Sequence, residues 1–570
     1  MKQKPIIYQL LPRLFTNYNA NCVPDGSLAR NGSGKLADIT DEVLAAIKSL
    51  GVNHVWYTGV LEHAQCSDYT AYGITRDNPH VVKGKAGSPY AIKDYYDIDP
   101  DLAVNVPGRR EEFDALVKRT HDAGLKVISA FVPNHVARRY HSDVPDAPAD
   151  FGADDDTSMG FSPKNNFYYI PRQLFAPNVD MGSGKEAYTE FPAKATGNDC
   201  FTAFPGPCDW YDTVKLNYGV DPYNGSRHFA PVPDTWHKML AILRHWAAKG
   251  VDGFRCDMAH MVPLEFWQWA IADVKQRHPD IIFIAEMYDT ALYRPFINIG
   301  GFDYLYDKVN LYDTLRGIQT ANFSAAQLTG CWQVVEGIGD HMLNFLENHD
   351  EQRFGSRFYA GDPAKAVPSL VVSAIIGRGA MMVYMGQELG EKAADAEGYS
   401  GLDGRTTIYD YWSLDTLRRW LDNGHPSTAL LTDREKILRD KYARILSLCN
   451  TEPAIYLGRF FDLMYVNYQN PSLNPHKQFV FVRNYADETI VIAVNFSADS
   501  CDLAIDIPTH AFEMLQIPRG SAPMTELLSG RTATKHISDG KPFDTYVEPW
   551  GAVLWKFNHN DVTPAEGADD

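Results

Sequence analysis

Arg255 and Asp257 stand two residues apart in V-D-G-F-R-C-D (Val251–Asp257), where charges end a strand-like run. On a strand that spacing puts both side chains on one face. Buried charges persist where they are paired, and they gather where chemistry needs them. Alone, the two residues fit a structural ion pair equally well. Other strand-like runs end in the same kind of residue: L-K-V-I-S-A-F-V leads to Asn134 and His135, F-I-A to Glu286, and Met342–Leu346 to Asn348, His349 and Asp350. Such a set suits glycoside cleavage. A retaining glycosidase uses one ionised carboxylate as nucleophile and one protonated carboxyl as acid, roughly 5–5.5 Å apart. Arg255 favours the ionised form of Asp257. The apolar run before Glu286 predicts desolvation and a raised pKa, as an acid requires. Asp350 is then free to bind sugar hydroxyls and stabilise the transition state. Each residue has an ordinary explanation of its own: Glu286 as a loop residue, His135 and His349 as structural histidines, Asn348–Asp350 as a turn. Their recurrence at successive strand ends is what favours chemistry.

The elements that position these residues alternate between strands and amphipathic helices. Ile6–Phe15, Val52–Thr58, Leu125–Val132, Val251–Cys256, Asp280–Ala285, Met342–Leu346 and Ala380–Met385 read as strands. Asp41–Leu50, Glu111–Ala123, Asp234–Lys249, Pro263–Arg277, Pro368–Gly377 and Asp433–Leu448 read as helices. Repeated βα units imply parallel strands with crossover helices, and about eight of them fit a closed (β/α)8 TIM barrel of the α/β class. The rival is an open doubly wound sheet, whose dinucleotide form is weakened because no G-x-G-x-x-G follows the first strand. The barrel is expected over residues 1–137 and 234–451. An irregular segment over 138–233, after the third strand, is expected as an inserted subdomain. Strand-like runs without helices between them predict an antiparallel β-sandwich over 452–560, followed by an acidic, disordered tail over 561–570.

Composition narrows the partners. At 570 residues several domains are expected, and 45% hydrophobic with 22% charged residues is globular. A net charge of −19 argues against nucleic acid and anionic membranes. The 31 Tyr and 11 Trp supply flat faces for stacking on sugars, although a large core uses them too. The eight Cys form no C-x-x-C pair and no zinc-like cluster, so free thiols are expected, with a Cys200–Cys208 bridge as the lesser alternative. Neither a long apolar leader core nor a bilayer-length run is visible, which makes the cytoplasm the expected compartment. Oligomeric state is not legible.

In the order V-P-N-H, G-F-R-C-D, F-I-A-E and E-N-H-D, these motifs resemble the signature regions of glycoside hydrolase family 13, the α-amylase family. The resemblance covers nearly the whole chain. It implies Asp257 as nucleophile, Glu286 as acid/base and Asp350 as the third carboxylate. It implies Tyr90, His135, Arg255 and His349 as residues around the sugar at subsite −1. Lys215–Asn217 (K-L-N) resembles the additional motif near the end of the inserted domain. Asn134 matches a family calcium ligand, so calcium is the one cofactor implied, although no full oxygen cage is legible. Some positions depart from the pattern. Ala130 and Ala91 stand where the family usually has Asp, and His260 and Met261 stand where it often has Lys then His on the leaving-group side. His260 is expected to touch substrate there. The resemblance implies cleavage of α-1,4-glucosidic bonds in starch-like glucans. The alternatives are transglycosylation or action on sucrose or trehalose at the same site, and then a non-catalytic sugar-binding protein.

Overall fold

The computed structural model describes residues 3–145 and 147–564. Eight parallel strands close into a barrel: β1 (Ile6–Leu10), β2 (His54–Tyr57), β3 (Lys126–Phe131), β4 (Gly253–Cys256), β5 (Ile282–Ala285), β6 (Tyr304–Tyr306), β7 (Met342–Phe345) and β8 (Ala380–Tyr384), with β1 paired to both β2 and β8. The strands are apolar because both faces are covered, by barrel interior and by helices. Gly253 opens β4 where a Cβ would lie 2.7 Å from Ile282, so only glycine lets the two strands close up. β6 was not legible beforehand. It is three residues long and pairs over two residues on each side, too short for a periodic signal.

The covering helices include α1 (Asp41–Lys48), α2 (Arg109–Asp122), α3 (Asp234–Ala248), α4 (Leu264–Arg277), α5 (Ala366–Ile375) and α6 (Asp433–Thr451). Local chemistry explains their ends. Thr40 caps α1 by accepting from the Val43 amide, and Thr432 with Glu435 forms a reciprocal capping box on α6. The expected first strand, Ile6–Phe15, is shorter than read. Pro12 has no N–H for a ladder and its fixed φ starts a single helical turn, Pro12–Phe15.

Two additions surround the barrel mouth. After β2 the chain forms an antiparallel hairpin, Leu61–His63 against Ile92–Ile98. After β3 comes the long insertion, which leaves and returns on one short ladder, His135–Ala137 against Thr213–Lys215. Its own small core includes Tyr168, Phe175 and Tyr188. The buried guanidinium of Arg138 grips Glu190 with two bonds, of 3.1 and 2.8 Å, and lies over the Phe175 ring.

The C-terminal region is all antiparallel in its sheets. Numbering on, the strands are β9 (Arg459–Asp462), β10 (Gln478–Tyr485), β11 (Glu488–Asn495), β12 (Cys501–Ile505), β13 (Gly520–Glu526), β14 (Thr532–Ile537), β15 (Phe543–Val547) and β16 (Ala552–Asn558). One sheet runs β9-β10-β11-β16-β13-β14, and β12 pairs with β15 as a second, two-stranded layer. The absence of helices expected here does not hold, since Thr509–Leu515 is helical. The acidic tail begins later than read: Asp561 closes a 3-10 turn and Thr563 bridges to Ser521. Its remainder, 565–570, lies outside the described residues. Cys200 and Cys208 are unbridged, like the other cysteines. Among the described residues no helix is long and apolar enough to cross a membrane.

Removing one partner of a buried ion pair costs about 3–5 kcal/mol. Glu190→Ala is therefore expected to lower stability by that order and to expose the insertion to protease first. Urea melts and limited proteolysis check this, and an unchanged midpoint would refute the anchoring role.

Candidate active site

Asp257 and Glu286 each lie one residue past a strand, yet their backbones remain on the barrel ladder. The Asp257 amide donates to Phe131 O (2.8 Å) and the Glu286 amide to Cys256 O (3.0 Å). Rigid strand ends thus aim both carboxyls. Arg255 points into the barrel and is fully buried. Its Nη1 donates to Asp257 Oδ1 at 2.5 Å, and its Nη2 lies 2.8 Å from Glu286 Oε1 as an ion pair outside hydrogen-bonding angle. The rings of Trp56, Tyr90 and Tyr306 surround the guanidinium carbon at 5.2, 5.5 and 5.4 Å.

Glu286 does not meet the apolar surroundings expected of it. Tyr288 OH donates to Oε1 (2.7 Å) and the Met258 amide to Oε2 (2.7 Å). Met258 reaches that position in a left-handed backbone conformation, φ 45°, which is strained for a residue with a Cβ. The same turn, followed by the 3-10 turn Ala259–Met261, carries His260 to Tyr288, whose ring it meets edge-on at 5.9 Å, beside the residues that line the cleft.

The third carboxylate comes from the loop after β7. Asn348 Oδ1 accepts from the amides of Asp350 and Glu351, both at 2.9 Å, which fixes the turn. Gln9 Nε2 donates to His349 Nδ1 (2.8 Å), so Nε2 carries the ring proton toward the Tyr90 hydroxyl (2.5 Å) and Asp350 Oδ2 (3.1 Å). Tyr90 stacks on the His349 ring, with centroids 5.1 Å apart. Burial, then Arg255, pushes His349 well below its ordinary range; burial, then Lys215, pushes His135 down to about 3. Burial thus favours the neutral form of both rings.

Burial first, and Glu286 next, push Asp257 well above the usual carboxylate range, with Arg255 opposing. Arg255 therefore does not by itself keep Asp257 ionised. The same two causes push Asp350 up to about 7. Its side chain keeps 41% of its surface open to the cleft, so water screens part of that rise. Three carboxyls so close to one guanidinium cannot all ionise cheaply.

Tyr90, His135, Asp257, Glu286, Tyr288, His349 and Asp350 line one cleft of about 300 Å³, with Trp210 and Tyr409 at its sides. Sequence reasoning missed Tyr288, although it repeats the two-residue spacing of Arg255 and Asp257. It also missed Gln9, Trp56 and Tyr306, whose pattern is that of ordinary core strands.

Asn134 is brought to the barrel–insertion junction but not as a calcium ligand. Its Oδ1 accepts from the Lys215 ammonium, which also pairs with Asp199 at 2.7 Å. Asn134 Nδ2 donates to Gly197 O (2.7 Å). A fixed ammonium stands where a cation would need that oxygen, so these residues do not fit calcium.

The site sits in an eight-stranded parallel barrel with an inserted region after β3 and three carboxylates gathered at its C-terminal mouth. The chain belongs to the α-amylase family, glycoside hydrolase family 13: the family's description, Alpha amylase, catalytic domain, matches residues 9–183 and 231–442. It is 27% identical to alpha-amylase MalA of Haloarcula japonica over 62% of this chain and 41% of that protein. It is 43% identical to the alpha-1,4-glucan:maltose-1-phosphate maltosyltransferase of Picrophilus torridus, over 36% of this chain and 24% of that protein. The chain thus spans less than half the length of these curated relatives. Its fold matches a noncanonic maltogenic alpha-amylase, AmyB from Thermotoga neapolitana (TM-score 0.62, 18% identity, 97% of this chain and 98% of that one). It also matches an alpha-amylase from Geobacillus thermoleovorans complexed with acarbose (TM-score 0.61, 19% identity, 97% and 98%).

A hydrogen bond to a charged group contributes about 1.5–3 kcal/mol. Lys215→Ala is expected to cost that order and to loosen the insertion at its return ladder. Calorimetric unfolding checks this, and an unshifted Tm would rule out the ammonium as an anchor.

Proposed function

We propose that the protein is a retaining α-glucan hydrolase acting on α-1,4 bonds of malto-oligosaccharides or starch-like glucans. The observation that carries this is the single buried guanidinium shared by Asp257 and Glu286 within one cleft. Two carboxyls held by one guanidinium, at 2.5 and 2.8 Å, favour the short separation that a direct nucleophile requires.

Asp257 Oδ attacks the anomeric carbon as Glu286 gives the cluster's proton to the departing glycosidic oxygen. A covalent β-glycosyl-aspartate forms. Glu286, now a base, takes a proton from water, which attacks the same carbon and restores the α configuration. Asp350 and the neutral His349 and His135 hydrogen-bond the ring hydroxyls, and Tyr90 offers an apolar face. Arg255 neutralises charge throughout. If an acceptor hydroxyl replaces water, the same steps transfer the glycosyl group. The 43% identity to a maltosyltransferase and the unusual His260–Met261 on the leaving-group side keep that outcome as the second reading. Sucrose and trehalose are further candidate donors. The cytoplasm is the proposed compartment, and a calcium at Asn134 is not part of this reading.

Incubation with maltoheptaose, starch, pullulan, sucrose and trehalose, followed by product sizing, tests the function. Short α-configured oligomers support hydrolysis, products longer than the substrate support transfer, and no turnover of any substrate refutes both. Glu286→Gln is expected to lose about 10²–10⁴-fold on maltoheptaose. It should keep far more of its activity on α-glucosyl fluoride, whose leaving group needs no proton. Equal losses on both substrates would remove Glu286 from the acid role.

Catalysis needs ionised Asp257, and its raised pKa means activity disappears as pH falls through that value. The acid limb of kcat/KM is therefore expected above the ordinary carboxylate value of about 4. In Glu286→Gln, assayed with the fluoride, the acid limb should stay while the alkaline limb disappears, because the neutral amide replaces the protonated Glu286 of the active form. An acid limb at or below 4 in the wild type would contradict this assignment.

A further inference from the structure

Tyr288 lines the same cleft as Glu286, two residues before it, yet neither half of the reaction gives it a task. Met287 between them is packed into the core, which leaves the carboxyl and the phenol facing the cleft together. The Tyr288 hydroxyl donates to Glu286 Oε1 at 2.7 Å, and His260 meets its ring edge-on at 5.9 Å. Burial, and then the charge of Glu286, push Tyr288 far above its ordinary range, so it keeps its proton and serves as a donor.

The two oxygens of Glu286 are not equivalent. A carboxylate oxygen offers about two lone-pair sites. Oε1 faces two donors, the Tyr288 hydroxyl and, at 2.8 Å, Arg255 Nη2. Among the described residues only the Met258 amide, at 2.7 Å, donates to Oε2. One site on Oε2 is left over, so a proton has room there and not on Oε1. The other charged and titratable groups around Glu286 are Arg255 on β4, Asp257 just past it, Tyr306 on β6 and Asp350 in the loop after β7.

We propose that Tyr288 is a positioning residue that occupies Glu286 Oε1, so that the catalytic proton is carried on Oε2. This role presupposes the hydrolase reading. In the first half-reaction the Oε2–H bond breaks as an O–H bond forms on the departing glycosidic oxygen, and the electron pair stays on Oε2. In the second half a water O–H bond breaks and its proton returns to Oε2, while the water oxygen bonds the anomeric carbon and displaces Asp257. Tyr288 keeps its own proton throughout. A hydroxyl bonds a carboxylate more strongly than a neutral acid. Tyr288 therefore also favours the ionised form of Glu286, and with it the pH above which the residue stops acting as an acid.

The test compares full-length Tyr288→Phe, which keeps the ring and loses one oxygen, with the wild type on maltoheptaose and on α-glucosyl fluoride. On maltoheptaose kcat/KM is expected to fall by about 10- to 100-fold, the order of one hydrogen bond to a charged group. On the fluoride, whose departure needs no proton, most of kcat/KM should remain, which also shows that the variant is folded. The alkaline limb on maltoheptaose should move up by about one to two pH units. The sign follows because Glu286 without this donor holds its proton to higher pH, and the protonated form is the acid. A merely structural role would lower both substrates together and leave the limb in place, and either result would overturn the assignment while leaving the hydrolase reading intact. A wild type that turns over neither substrate would instead overturn the hydrolase reading, and this role with it.

Discussion

A guanidinium with no exposure to water organises this protein. Arg255 cannot be desolvated without counter-charge, and the barrel answers with Asp257 on its own strand and Glu286 on the next. Three aromatic rings, from β2, from β6 and from the hairpin after β2, fill the space around it. The barrel therefore carries a charged centre near its mouth where an ordinary barrel core would be apolar, and the cleft is the open side of that centre.

The electrostatics follow from crowding. Burial first, and the charge of Glu286 next, raise Asp257 and Asp350, with Arg255 opposing both. The surrounding histidines lack charge for the same reason, since burial beside Arg255 or Lys215 expels their protons. The insertion shows another solution to a similar problem. There a lysine ammonium bonds Asn134 and Asp199, so a covalently tethered cation ties the insertion to the barrel.

Legibility in the sequence tracked the physical length of each signal. Strands of four or more residues flanked by periodic helices were visible, and so was the order of the motifs. β6 was not, because three residues carry no period. The Thr509–Leu515 helix was hidden in a region otherwise read as strands. The expectation for His260 rests on the family resemblance, whereas its place against the Tyr288 ring follows from the left-handed turn at Met258, which no residue type announces. Glu286 was expected among apolar neighbours because its sequence neighbours are apolar. Its spatial neighbours are the Tyr288 hydroxyl and the Met258 amide, which donate to it, and the Arg255 guanidinium, which pairs with it.

By itself the sequence determined the alternation of elements, the residues at the strand ends and the likeness to the α-amylase family, because these depend on local periodicity and on residue identity along the chain. The tertiary structure alone decided which carboxylates crowd one another, which cation neutralises which carboxylate and which oxygens lack a partner. Those properties depend on distances between residues far apart in sequence and on the water excluded between them. Arg255 and Asp257 could be paired from a two-residue spacing, but the claim of Glu286 on the same guanidinium comes from the side-by-side register of β4 and β5.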